Sequence, residues 1–338
     1  MAYPQTVVTT AQSGGTTTTS ASGPQTVIYA ESISSPAPFA VLAEAAASAG
    51  LFNKSNINVQ IIRFAGAPTA IEAVTTGKAQ FAFAGSASVI NAIQGGATIH
   101  AVAGVSDEQP YYIMAKDSIT SLTQLKGAKF GISAPGDILT TLTIPFNLYP
   151  LNITQQDMTI VSVGSPPART QALVAGTIDA TVLNREAAYQ GLPSTIHVVA
   201  EVPLPRIAID WVITNNALIQ SNPTLVYNFV KDLVLAARQI QTNQTFYVQV
   251  AQKYVGSSWN ATGYGQVWKA YSQNYWPVNG GINYFDQDYL NATLQYLVTL
   301  HDLKPIGPLS NYIDYSFVAQ VIASIGEYPT EIGGPPIG

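Results

Sequence analysis

The 338-residue chain contains no cysteine. Disulfides, thiol nucleophiles and thiolate zinc sites are therefore excluded as sources of stability or chemistry. Charge is also scarce: 10% of residues are Asp, Glu, Lys or Arg, and the net charge is −5. That is well below the roughly one quarter usual in globular domains. No basic run is present, so the electrostatic footprint of a nucleic-acid binder is missing and no nucleic-acid partner is expected. The three histidines, His100, His197 and His301, have no partner at helical spacing and read as structural residues rather than a metal set. No apolar run approaches the ~20 residues that a membrane helix needs. GxSxG, P-loop and HExxH patterns are absent and the carboxylates are scattered, so an enzyme is not expected, nor any cofactor or metal.

What is present is a core. Hydrophobic residues make up 47% of the chain, and its polar surface falls to Ser, Thr, Asn, Gln and 18 tyrosines. A surface with so few charges loses little in acid, which suggests a protein adapted to a hot or acidic extracellular medium. Residues 1–24 have a different composition, with Thr16-Thr17-Thr18-Thr19 among Ser and Gly. They read as a flexible linker, a stalk left after removal of a signal or lipid-anchor segment, or equally as a frayed terminus. Five Asn-X-Ser/Thr sequons, at Asn53, Asn152, Asn243, Asn260 and Asn291, are close to the number that chance provides.

From Thr26 onward short β-rich runs alternate with helical runs, and Gly stands at the joins. Strands are expected at 26–30, 58–64, 80–84 and 99–105, with helices over 39–49, 70–76 and 86–94. The same alternation then restarts with strands at 111–116, 129–133, 159–163, 178–183 and 197–200. This is the grammar of doubly wound parallel sheets, written twice. A β run at 207–213 carries the chain back, and helices follow over 223–241, 246–254, 264–275 and 289–300. Asn222-Pro223 supplies an N-cap and an N1 proline for the first of them. The expected organisation is α/β: residues 25–108 plus 212–326 form a discontinuous first lobe and residues 109–211 a second. Hinge crossings lie near 109–112 and 207–211, the C-terminal portion is helical, and 327–338 form a tail.

Several stretches, in order, carry a resemblance. They are Ala43-Glu44 through Ala49-Gly50-Leu51-Phe52, Val59 to Phe64, Gly66-Ala67-Pro68, Ala73 through Gly77 to Ser86, Ser121 through Gly127 to Gly131, and Gln171 through Gly176 to Ala180. Together they resemble the nitrate/sulfonate/taurine and thiamine-precursor (NMT1/THI5-like) binding proteins. The resemblance implies a type II periplasmic-binding-protein fold. It further implies an extracytoplasmic, monomeric receptor that closes on a small molecule and delivers it to an ABC permease.

Ligands in open α/β sheets bind beyond the C-terminal edges of the strands, which selects the candidate residues. In the first lobe they are Ser35 and Phe39 after the first strand, Gly66, Ala67 and Pro68 after the second, and Gly85, Ser86 and Ala87 after the third. Thr69 and Ser86 read equally well as ordinary N-caps, and Phe39 as a core residue. In the second lobe they are Gly136, Asp137 and Ile138, and Asn184, Arg185 and Glu186. Glu186 stands where the family has an acid between an aromatic residue and a proline, both missing here. Asp137 takes a place where the family carries small hydroxyl residues; it reads first as a helix N-cap, and a carboxylate there would also repel an anion and favour a neutral or cationic ligand. Trp211, on the return run, reads as cleft floor or as hinge packing. Tyr264, Tyr271 and Tyr275 follow helical spacing and read as core. A surface receptor or adhesin that keeps the fold without transport is the alternative.

Overall fold

The computed structural model describes residues 23–33, 36–106, 111–135, 143–184, 186–187, 192–202, 210–256, 260–272, 276–281 and 307–329. Two five-stranded mixed sheets organise it. The first contains β1 (Gln25–Glu31), β2 (Ile57–Arg63), β3 (Phe81–Gly85), β4 (Ile99–Ser106) and β10 (Asp210–Asn215), in the order β2-β1-β3-β10-β4. The second contains β5 (Tyr111–Lys116), β6 (Lys129–Ile132), β7 (Thr159–Ser162), β8 (Ala180–Asn184) and β9 (Ile196–Val202), in the order β7-β6-β8-β5-β9. The two orders are one pattern used twice. In each sheet the fourth position is the strand antiparallel to its neighbours, and it is the strand that arrives from the other sheet.

Helices α1 (Leu42–Ser48), α2 (Leu51–Lys54), α3 (Ala67–Thr75) and α4 (Ser86–Gln94) belong to the first unit, and α5 (Ile144–Leu148) and α6 (Pro166–Val174) to the second. After β10 the chain is helical: α7 (Asn216–Ser221), α8 (Pro223–Thr242), α9 (Gln244–Tyr254), α10 (Ala261–Tyr271) and α11 (Ser316–Ile325). The sequence signals act where expected. Gly77 and Gly176 hold φ of +75° and +71°, the left-handed region in which a Cβ is costly. They reverse the ends of α3 and α6 into β3 and β8. The Asn222 side chain accepts a hydrogen bond from the Leu225 amide at 3.1 Å and caps α8. Residues 122–125 form a single 3-10 turn under a Ser121/Gln124 capping box. The helix expected over 289–300 lies outside the described residues. Among the described residues three helices were not foreseen: α2, a four-residue turn after Gly50, α7 and α11. α7 spans six residues, too few to display a 3.6-residue period, and α11 follows the last helix expected from the sequence.

The first unit packs around Phe229 of α8. Its ring stacks on Phe81 at 4.0 Å and 2° and on Phe52 at 5.2 Å, and it tilts against Tyr29. The second sheet is covered on both faces. Ile113, Leu125, Phe130 and Val182 are buried in one cluster, and Met114, Leu173, Ile178 and Leu183 in another. Coverage of both faces is what near-continuous apolar strands require. The free edge of β4 is blunted by backbone pairing: the Ala101 amide donates to Tyr312 O and the Gly104 amide to Gly280 O.

Candidate functional site

The C-terminal strand edges of the two sheets meet, held close by short connections and by a direct contact. Ser106 ends β4 and Tyr111 begins β5 opposite Asn184, the last residue of β8. Five residue steps separate them, a reach of at most about 18 Å. The return from Val202 to Asp210 starts and ends at the same two edges. A direct contact closes the gap. The Tyr271 hydroxyl on α10 donates to Glu186 Oε2, just beyond β8.

On the first sheet this edge is ionic. Glu31 and Arg63 end β1 and β2 as register partners, and Arg63 Nε lies 2.9 Å from Glu31 Oε2. Arg63 Nη2 also bonds Glu44 Oε1 of α1 at 2.5 Å. Both carboxyls are buried, so two acids share one guanidinium. Burial, reinforced by the charge of Glu44 and opposed by Arg63, pushes the Glu31 carboxyl well up. Burial pushes Glu44 up to about 7 against its backbone hydrogen bond and Arg63. At the same edge Ser106 Oγ lies 3.4 Å from Asp210 Oδ2. A Cβ added at Gly85 would make ordinary contact with Asp210 Oδ1, at 3.9 Å.

The candidates are distributed as follows. Gly66 and Gly85 are the N-cap residues of α3 and α4, and neither helix receives a side-chain cap. Ordinary capping by Thr69 or Ser86 is therefore not what occurs. Thr69 Oγ1 turns back to Gly66 O at 2.9 Å, while Ser86 is the first residue of α4 and buried. Ala67 and Pro68 form the first turn of α3, and Ala87 the first turn of α4. Phe39 is buried in the first core beside the segment that leads into α1. Trp211 is wholly buried between β3 and β4, and its indole N–H has no hydrogen-bond partner. Asn184 and Glu186 are both buried at the edge of the second sheet. Ser35, Gly136, Asp137, Ile138 and Arg185 lie outside the described residues.

Sequence reasoning missed Glu31, Arg63, Glu44 and Asp210 as edge groups. The available signal was positional, since charged residues closing two adjacent apolar strands meet at one edge. It also missed Arg169 of α6, whose guanidinium is buried and donates to Ser133 Oγ at 2.7 Å and to Gly164 O at 2.5 Å. Tyr271 was read as core. It is buried against Trp276, itself packed on Tyr247, but its hydroxyl reaches the opposite unit. Among the described residues no group of three His, Asp or Glu side chains could hold a metal ion.

Comparison with known proteins gives a consistent picture. A family model described as NMT1/THI5 like matches residues 42–243. No curated protein matches the sequence. Among solved structures, the periplasmic sulfonate-binding protein SsuA of Methylobacillus flagellatus KT superposes with a TM-score of 0.67 at 16% identity, covering 93% of this chain and 99% of that one. The periplasmic nitrate-binding protein NrtA of Synechocystis PCC 6803 gives 0.71 at 11% identity, with 92% of each chain covered. The zinc-bound ligand-binding component of an ABC-type import system from Staphylococcus aureus gives 0.70 at 14% identity, covering 88% and 99%. At these identities the likeness is one of fold: the type II periplasmic-binding-protein arrangement of two α/β lobes.

Proposed function

The chain belongs to the NMT1/THI5-like family, and on that premise we propose that it is the extracytoplasmic solute-binding component of an ABC importer. It binds one small organic molecule between the lobes, closes on it and presents the closed form to a membrane permease. The lobes are residues 25–108 with 212–326, and residues 109–211, joined by the two crossings. The N-terminal linker tethers the receptor outside the cell. The observation that carries the reading is the meeting of two C-terminal strand edges. Both are lined by buried polar groups, and α3 and α4 offer backbone amides that no side chain caps.

Charge argues for the kind of ligand. Among the described residues Arg63 is taken up by Glu31 and Glu44, Arg169 donates to Ser133 Oγ and Gly164 O, and Asp210 and Glu186 are buried at the two edges. Burial holds Glu31, Glu44 and Glu186 toward the uncharged acid, so an incoming anion would find little free positive charge to pair with, and the sequence adds the carboxylate of Asp137. A neutral or cationic molecule, such as an amine or an aminopyrimidine, suits this edge better than nitrate or a sulfonate. No chemistry is assigned to the site, and the reading is of a binder rather than an enzyme.

Thermal unfolding against a panel of amines, aminopyrimidines, amino acids, nucleobases, sulfonates and nitrate tests the reading. One chemical class should raise the midpoint in a concentration-dependent way, since a ligand at 100 times its Kd adds about 2.7 kcal/mol. A response confined to sulfonates or nitrate would overturn the charge argument. No response from folded, ligand-free protein would move the reading to a surface interaction role.

A further inference from the structure

One buried carboxyl joins the two lobes. Glu186 leaves the end of β8 in the second lobe and is 4% exposed, although no cation among its described neighbours compensates it. Its hydrogen-bond donors are the Tyr271 hydroxyl from α10 of the first lobe and its own backbone amide. Described aromatic side chains lie close by. Tyr247 of α9 lies within electrostatic range and bonds Pro38 O through its hydroxyl at 3.0 Å. Trp276 packs on both tyrosines, at 5.3 Å from Tyr247 and 6.3 Å from Tyr271. Tyr264, within electrostatic range of Tyr247, donates its hydroxyl to Gly256 O at 2.7 Å. An ionised carboxylate in such a pocket is costly unless it is neutralised. Parting the lobes would draw Glu186 away from these first-lobe rings and into water.

We propose that Glu186 and Tyr271 form a latch of the closed receptor, and that closing the lobes takes up one proton on Glu186. The inference rests on the reading of the chain as a hinged receptor, but it concerns the empty protein and needs no ligand. The sign follows from the two environments. In the open form Glu186 titrates as an ordinary exposed glutamate; in the closed form burial pushes it up to about 7. Closure is therefore favoured fully below the ordinary glutamate range, and that advantage is lost as pH rises through about 7. Over that window the closing equilibrium shifts by on the order of 100-fold. A receptor built this way holds its cargo in an acidic medium and loosens as the pH rises.

The absence of cysteine makes the test direct. Lys78→Cys and Thr177→Cys place one exposed label beyond the C-terminus of α3 and another beyond that of α6, at the outer end of each lobe. Energy transfer between the labels is followed without ligand from pH 4.5 to 8.5, with far-UV circular dichroism recording the fold at each pH. The label separation should change through this window. Glu186→Gln, which mimics the protonated group, should hold the acid-limit separation at every pH. Tyr271→Phe should shift the acid-limit population toward the open form with the dichroism unchanged. An unaltered pH response in Glu186→Gln would overturn the proposal, as would a wild-type separation that is constant with pH while the fold is intact. A failed ligand panel beside a working latch would instead count against the transport reading alone.

Discussion

Glu44→Gln tests whether the buried acids of the first lobe make the fold stronger in acid than in base. Glu44 is 1% exposed and is one of two carboxyls served by Arg63. Burial raises it from 4.5 to about 7 in the folded chain, whereas the unfolded chain exposes it at its ordinary value. The folded state thus holds this proton more tightly. The resulting stability is complete below pH 4.5 and is lost as pH rises through about 7. At about 1.4 kcal/mol per pH unit, a displacement from 4.5 to about 7 makes the loss about 3 kcal/mol. Gln keeps the shape and can still accept from Arg63, but it carries no titrating proton. Urea midpoints measured by tryptophan fluorescence from pH 4.5 to 8.5 give the comparison. Wild-type stability should fall across the range, and Glu44→Gln should fall by about 3 kcal/mol less. A variant with the wild-type slope would refute the argument, because the slope would then arise elsewhere. Glu186 and Asp232, also raised by burial, contribute in the same direction. Asp157 and Asp179, lowered from 3.8, lose their contribution only in stronger acid.

Gly280→Ala should destabilise by roughly 3 kcal/mol in thermal unfolding, because the residue has φ +82° and an added Cβ would fall 2.5 Å from Val318 Cγ1 on stiff, β-branched Val318. Phe229→Ala empties the centre of the first core and should cost about 3–5 kcal/mol by urea denaturation. Asn222→Ala removes the side-chain cap of α8 and should cost about 1 kcal/mol in the same assay.

The two-lobed fold was legible in the chain because its signals are local. Gly77 and Gly176 each end a helix and open a strand, and apolar strands recur at even spacing on both sides of residue 108. The ionic edge was hidden for a physical reason. Glu31, Glu44 and Arg63 are far enough apart in sequence that only the pairing of β1 with β2, and the packing of α1 beside them, brings them together. Tyr271 was misleading because it is at once a core residue by spacing and an interlobe donor through one atom. Periodicity reports which face of a helix is buried, not which element buries it. Trp211 shows the same limit. Its β run was visible, but its place beneath the surface follows from β10 lying between β3 and β4, a long-range pairing.

The most direct measurement is small-angle X-ray scattering of the protein alone and with the strongest stabiliser from the small-molecule panel, at one pH. A receptor that closes on its ligand should lose radius of gyration on saturation, with one molecule bound per chain. Saturation that leaves the radius unchanged would contradict closure around a ligand between the lobes.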